Sequence, residues 1–196
     1  TDRWLDCGGN IGTAALLALS VGGAVVSVEP EPDNAKLLRL NLRTNFPDGD
    51  WKVEEVGVDV KDGHRSLHVQ DDPSQTYRHS MFLTVNSHSV MVRVKSFYGL
   101  VKEHNINAVK LDIEGMEMLL LESLTEEMCR GINKILFEWT FDVDRSTKRL
   151  LAVMEHLQGL GYNVHCPPAT LAQLRTIGEY NIYPSGLVVL CTNRRL

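Results

Sequence analysis

The 196-residue sequence predicts a doubly wound α/β fold: a mostly parallel sheet with helices on both faces. Three observations carry this. Short β-branched runs alternate with helical periods along the whole chain. A glycine-rich turn joins the first run to the first helix, and acidic residues recur just beyond the strands, where ligands sit in such sheets.

The elements follow in order. Residues 3–7 form a short apolar strand, and 13–21 an apolar helix beyond the turn. Residues 24–28 are a second strand. Ala35, Leu37, Leu38, Leu40 and Leu42 then mark a helix, with Asp33 near its cap. Residues 51–60 are read as a third strand, and 66–69 with 90–94 as a pair bracketing the polar stretch 70–89. That stretch is expected to be a mobile loop beside the acceptor pocket. A short helix over 97–104 leads to a strand at 108–113 and a helix at 116–124. A strand over 132–139, an amphipathic helix over 146–160, and strands at 163–166 and 187–192 complete the pattern.

Composition sets the boundaries of function. The chain is 43% apolar and 23% charged, typical of a globular protein, and one domain over 1–196 is expected. Its start at Thr1, almost on a strand, is read as a piece of a longer protein. No run reaches the roughly 18 to 20 apolar residues of a membrane span. Cys7, Cys129, Cys166 and Cys191 are widely spaced without a C-x-x-C pair, which reads as free thiols in a reducing, by default cytoplasmic, compartment. A net charge of −5 disfavours nucleic acid as partner, and Arg145, Lys148 and Arg149 fit a solvated helix face.

The turn carries the chemistry. Asp6, Gly8, Asn10 and Gly12 spell D-x-G-x-N-x-G between strand and helix. A dinucleotide fingerprint fails, because Asn10 stands at its second glycine. A carboxylate at the strand end would also oppose a pyrophosphate at the helix start. S-adenosylmethionine has no phosphate and carries a sulfonium and an ammonium, which suit an acidic pocket. Glu29, 23 positions after Asp6, ends the second strand where a carboxylate accepts from a ribose diol.

These residues resemble the FkbM-type methyltransferases. The match includes Asp6, Gly8, Asn10, Ile11 and Gly12, then Val28-Glu29-Pro30 with Pro32, Asn34, Leu38, Asn41 and Asn45. It resumes at Val109-Lys110-Leu111-Asp112-Ile113-Glu114-Gly115-Met116-Glu117, close to the family's K-I-D-I-E-G-x-E box, and at Glu138. Thr140 stands where the family often has histidine. The resemblance implies a seven-stranded, Rossmann-like class I methyltransferase fold that converts S-adenosylmethionine to S-adenosylhomocysteine. It implies transfer to oxygen on a sugar, polyketide or other small metabolite. The expected cofactor-binding residues are Asp6, Gly8, Gly9, Asn10, Gly12, Glu29 and Pro30.

Methyl transfer to a hydroxyl needs alignment and a proton acceptor. On a strand, Asp112 and Glu114 share one face by period two, with Lys110 behind them, and the turn at Gly115 brings Glu114 and Glu117 toward the cleft. Asp112 or Glu114 is therefore the expected base or orienting group, with Glu138 assisting from the next strand. The competing structural role is that Asp112 caps the next helix and Glu117 pairs with a lysine. Carboxylates of this kind also suit Mg²⁺, but carboxylates alone define no site, and no metal ligand is assigned. His64, His68, His79 and His88 read as surface histidines, and Trp51, Trp139 and Tyr162 as core aromatics. The alternative function is a catalytically silent methyltransferase-like subunit serving as a structural or interaction module. An amino-group methylase of bases would carry an N/D-P-P-Y/F box, which the chain lacks.

Overall fold

The computed structural model describes residues 1–70, 87–140, 147–165 and 186–194. The chain runs β1 (Arg3–Cys7), α1 (Thr13–Ser20), β2 (Ala24–Val28), α2 (Pro32–Asn45) and β3 (Trp51–Glu54). It continues through β4 (Gly57–Asp59), β5 (Gly63–Gln70), β6 (Ser87–Ser96), α3 (Phe97–Glu103) and β7 (Ala108–Leu111). The last elements are α4 (Glu117–Ser123), α5 (Glu126–Cys129), β8 (Lys134–Thr140), α6 (Thr147–Gly159), β9 (Tyr162–His165) and β10 (Gly186–Asn193).

The main sheet has seven strands in the order β3-β2-β1-β7-β8-β10-β9. Only β10 runs antiparallel to its neighbours. The chain winds outward from β1 to β3 and returns to β7 on the other side of β1, so strand order reverses between β1 and β7. Ligand crevices form beyond the carboxyl ends of strands at such a reversal.

Paired residues of neighbouring strands share a face. One face therefore carries Leu5, Cys7, Val26, Val28, Val109, Leu111, Ile135 and Phe137, all at most 1% exposed. They form one core with Leu100 of α3, Leu120 and Leu121 of α4, and Leu150, Val153 and Leu157 of α6. The opposite face packs Val25 and Trp4 against Ala15 and Leu19 of α1 and Leu38 and Leu42 of α2. Further along it come Asp6, Lys110 and Leu136, one per strand in a single row. Beyond them Val188 and Leu190 of β10 are 51% and 37% exposed.

The expected strand over 51–60 is in fact two. Trp51 to Glu54 pair with β2, whereas Gly57 to Asp59 pair parallel to β6 in a separate sheet of order β4-β6-β5. The apolar alternation slips by one between Val53 and Val56, and a slip of one reverses the buried face. The pair expected at 66–69 and 90–94 is the β5–β6 hairpin, with Leu67 opposite Val90. It extends to Gln70 and Ser87, so Gln70 and Ser87 to Ser89 of the expected loop are strand; the rest of that stretch, residues 71–86, including His79, lies outside the described residues. The α2 cap is Glu31, with Asp33 near it in the first turn as expected: the Glu31 side chain accepts from Asn34 N–H at 2.6 Å, and Pro32 starts the helix. Helix α5, unforeseen in the sequence, is one turn capped by Thr125.

Candidate active site

The turn between β1 and α1 is built on left-handed residues. Gly8 has φ 79° and Gly12 φ 104°, conformations that favour glycine. A Cβ at Gly8 would lie 1.9 Å from the Asp112 carbonyl oxygen, so this turn abuts the end of β7. The Gly8 and Gly9 N–H groups both donate to Val28 O at 3.0 Å, which fastens the turn to the end of β2. Asn10, at φ 46°, accepts from Ile11 N–H with its side chain at 2.7 Å.

Glu29 closes this arrangement from β2. It is 5% exposed; Oε2 accepts from Asn10 N–H and Oε1 from Glu31 N–H, each at 2.9 Å. Burial pushes its carboxyl up to about 7, against the lowering effect of the two N–H donors. The turn thus already holds a carboxyl on one of its N–H groups, that of Asn10, and the start of α2 holds the same carboxyl through Glu31 N–H.

Asp6 lies beneath the turn, 2% exposed. Its Oδ2 accepts from the Ser27 hydroxyl at 3.2 Å. Its Oδ1 faces the Lys110 ammonium at 3.3 Å as an ion pair without hydrogen-bond alignment. Burial raises the Asp6 carboxyl, with Lys110 opposing. Lys110 also reaches Asp112 at 3.2 Å. Burial works against its ammonium, yet Asp6 and Asp112 hold it above the ordinary lysine value.

The acidic box departs from a simple strand. β7 ends at Leu111, and Asp112 N–H donates to Cys7 O at 3.2 Å, stitching the exit of β7 to β1. Glu114 has φ 50° and Gly115 φ 112°, so the period-two placement of Glu114 beside Asp112 does not hold. Glu117 does not turn toward the cleft. It is 2% exposed and accepts from the Ile113 and Gly115 N–H groups, clamping the turn from within. Among the described residues, neither a lysine partner for Glu117 nor a helix cap by Asp112 is formed: α4 begins without a side-chain cap, and Asp112 pairs with Lys110. Glu138, at the end of β8, is half-buried; burial first, then the charge of Asp112, raises its carboxyl.

A cleft joins these parts. Gly8, Asn10, Glu29, Pro30, Asp112 and Glu114 line it, as do Val28, Asn34, Gly57, Val58, Leu67, Ile113 and Met116. On the other side of the turn, an open groove is lined by Gly8, Gly9, Asn10, Ile11, Lys110 and Asp112. Of the expected cofactor residues, Asp6, Gly9 and Gly12 do not line the cleft. Gly9 and Gly12 are packing positions, where a Cβ would meet Leu38 at 3.0 and 2.8 Å. Glu138 does not line the cleft either.

Val58 and Leu67 were missed in the sequence. The alternation slip before Val56 signals that the chain leaves the main sheet there, but nothing local points Leu67 at the turn.

Among the described residues, the grouping with metal-ligand spacing is Glu54, Glu103 and His104. Lys52 and Lys95 each lie 2.7 Å from Glu54, and Lys95 lies 3.0 Å from Glu103, so the group is an ion-pair network. His64 and His88 are exposed, and His68 meets the Ser89 hydroxyl at 2.9 Å. Trp139 and Tyr162 are core aromatics, 1% and 0% exposed. Cys7, Cys129 and Cys191 are buried free thiols, and Cys166 lies outside the described residues.

A seven-stranded sheet of this order with helices on both faces is the Rossmann-like class I methyltransferase fold. The methyltransferase FkbM domain model matches residues 6–164, and the chain belongs to that family. Among solved structures, an FkbM methyltransferase from Methylobacillus flagellatus KT superposes with TM-score 0.58 at 15% identity. That match covers 98% of this chain but 43% of the other, so the chain spans less than half the length of that relative. The magnesium protoporphyrin IX methyltransferase of Synechocystis PCC 6803, solved with bound S-adenosylmethionine, gives 0.52 at 6% identity, covering 98% and 70%. A fibrillarin/Nop5p complex gives 0.53 at 12% identity, covering 98% and 72%. No significant match was found among curated protein sequences.

Proposed function

We propose that the chain binds S-adenosylmethionine in the cleft beneath Glu29 and transfers its methyl group to a hydroxyl oxygen of a small metabolite or glycan. The observation that carries the reading is the buried Glu29 carboxyl, held by the Asn10 N–H of the turn and the Glu31 N–H at the start of α2. Its second lone pairs remain for a ribose diol, whereas a pyrophosphate would compete with it for those N–H groups. Asp6, Gly9 and Gly12 serve by fixing the turn from below.

S-adenosylmethionine supplies an electrophilic methyl group on a sulfonium. The chain's residues hold, orient and take up a proton. Gly8 and Asn10 bring backbone close to the ligand, Glu29 fixes the ribose, and Pro30, Val58 and Leu67 offer an apolar wall to the adenine. Asp112 and Glu114, at the β7 end of the cleft, and Glu138 on the next strand are the carboxyls placed to orient the acceptor or take its proton. A net charge of −5 supports a small acceptor over a nucleic acid.

Calorimetric titration tests the reading. S-adenosylhomocysteine should bind, and NAD should not. Glu29→Ala should weaken the binding by about 1.5–3 kcal/mol, the range for hydrogen bonds to a charged group. Tight NAD binding without S-adenosylhomocysteine binding would overturn it.

A further inference from the structure

Three carboxyls and one lysine stand toward the ends of β1, β7 and β8, and the register fixes their order. Asp6 pairs with Lys110 across β1 and β7, and Lys110 with Leu136 across β7 and β8. Asp112 lies two residues beyond Lys110, and Glu138 two beyond Leu136, so both follow the last β7–β8 pair, Leu111 with Phe137. The lysine ammonium stands 3.3 Å from Asp6 and 3.2 Å from Asp112. The Glu138 side chain makes no hydrogen bond or ion pair among the described residues, and the residue opposite it on β10 is the uncharged Val188. The charged groups acting on it are Asp112, just beyond β7, and Lys110 of β7, with Asp6 of β1 behind Lys110.

We infer that Lys110 is a positioning residue: its ammonium commits Asp112 to an ion pair anchored on Asp6 and leaves Glu138 as the carboxyl that takes the acceptor's proton. The inference rests on the methyltransferase reading of this site and divides the roles among its carboxyls. The acceptor oxygen forms its bond to the methyl carbon. The carbon–sulfur bond breaks with its electron pair returning to sulfur, and the hydroxyl proton passes to the Glu138 carboxylate. Two neighbouring carboxyls in unlike surroundings divide their roles in this way: one is paired with a cation, and the other, partly buried beside a like charge, is the better proton acceptor. The raised Glu138 carboxyl agrees with this division.

Carbon-detected NMR of the glutamate carboxyls, with Glu138 assigned through Glu138→Gln, reads the arrangement without a known acceptor. In the free protein, the Glu138 midpoint should lie above the ordinary glutamate value. It should fall in Asp112→Asn, where the like charge is gone, and rise in Lys110→Met. Lys110→Arg should restore it, which a purely structural lysine would not require. If Lys110→Met fails to fold because Asp6 is left unpaired, the double variant Asp6→Asn with Lys110→Met takes its place.

A second comparison places Glu138 relative to the methyl group. With S-adenosylmethionine bound, the Glu138 midpoint should lie lower than with S-adenosylhomocysteine, because only the former carries the sulfonium charge. If both ligands bind and Glu138 titrates identically with each, the proton-acceptor role falls while the cofactor reading stands. A Glu138 midpoint unmoved in Asp112→Asn sinks the positioning role of Lys110. If neither ligand binds, both readings fall.

Discussion

Glu29 couples ligand binding to protons. Its carboxyl sits at about 7 in the folded chain, above the 4.5 of an unperturbed glutamate. The folded state therefore holds an extra proton between these values. This group's contribution to stability is complete below about 4.5 and is lost as pH rises through 7. A ribose diol donating to the carboxylate favours the charged form, so binding should expel that proton. Affinity for S-adenosylhomocysteine should rise from about pH 6 to about pH 8 and then level off. Calorimetry in buffers of different ionisation enthalpy should show proton release at the lower pH. A flat affinity with no proton release would mean that Glu29 does not receive the ligand.

Glu114 occupies a left-handed conformation at φ 50°, which costs a non-glycine residue roughly 1–2 kcal/mol. A residue kept there against that cost, on the cleft wall, is a candidate for function. Glu114→Gly relieves the strain but gives the unfolded chain more freedom, so stability should stay level or rise by up to about 1 kcal/mol. Methyl transfer should fall about tenfold or more, as for loss of one charged hydrogen bond. Urea melts together with initial rates separate the two effects. A more stable variant with full activity would assign Glu114 no part in the reaction.

At the scale of elements, the ion-pair network on Glu54 ties β3 of the main sheet to β6 of the small sheet and to the end of α3. Burial would raise Glu54, but hydrogen bonds from Lys52, Lys95 and His104 bring it down to about 2. Its contribution is present above about 4.5 and is lost as pH falls toward 2. Glu54→Gln should therefore cost about 1–2 kcal/mol at neutral pH, discounted for the exposed Lys52. The gap between variant and wild type should close in acid. An equal deficit at both pH values, measured by urea titration, would show that the network does not bear on folding.

The same elements show what the sequence made legible. The strands of the main sheet announce themselves because parallel strands buried on both faces read as continuous apolar runs, as in Ala24–Val28. The turn at Gly8 was legible because left-handed, close-packed backbone demands glycine. The acidic box was harder. Its period-two reading assumes that the strand continues past Leu111, whereas the chain turns there, and the local clamp of Glu117 on the Ile113 and Gly115 N–H groups that closes this turn leaves no trace in strand periodicity. The small sheet was hidden for a similar reason: the slip between Val53 and Val56 marks a break, but the partner that receives β4 lies more than thirty residues onward in β6.

At the scale of the molecule, the proposed ligand site sits where strand order reverses and touches the turn after β1, the β7 exit, β2, β4 and β5 together. A molecule held there bridges both sheets, so its binding energy is added to the stability of the folded chain as a whole. At a hundredfold excess over its dissociation constant, S-adenosylhomocysteine should stabilise the fold by about 2.7 kcal/mol. For a chain of this length that is a rise in melting temperature of roughly 5–10 °C, at about 2–4 °C per kcal/mol. NAD and ATP should give almost none, because the N–H groups a phosphate would need are held by Glu29 and Val28. In Glu29→Ala the shift should shrink, while the melting temperature without ligand should hold or rise at neutral pH, where the buried carboxyl is unfavourable. A thermal-shift panel of the three ligands on both proteins would decide the matter. A shift with ATP or NAD equal to that with S-adenosylhomocysteine would remove the turn's selectivity, and with it the reason for reading this cleft as a methyl-donor site.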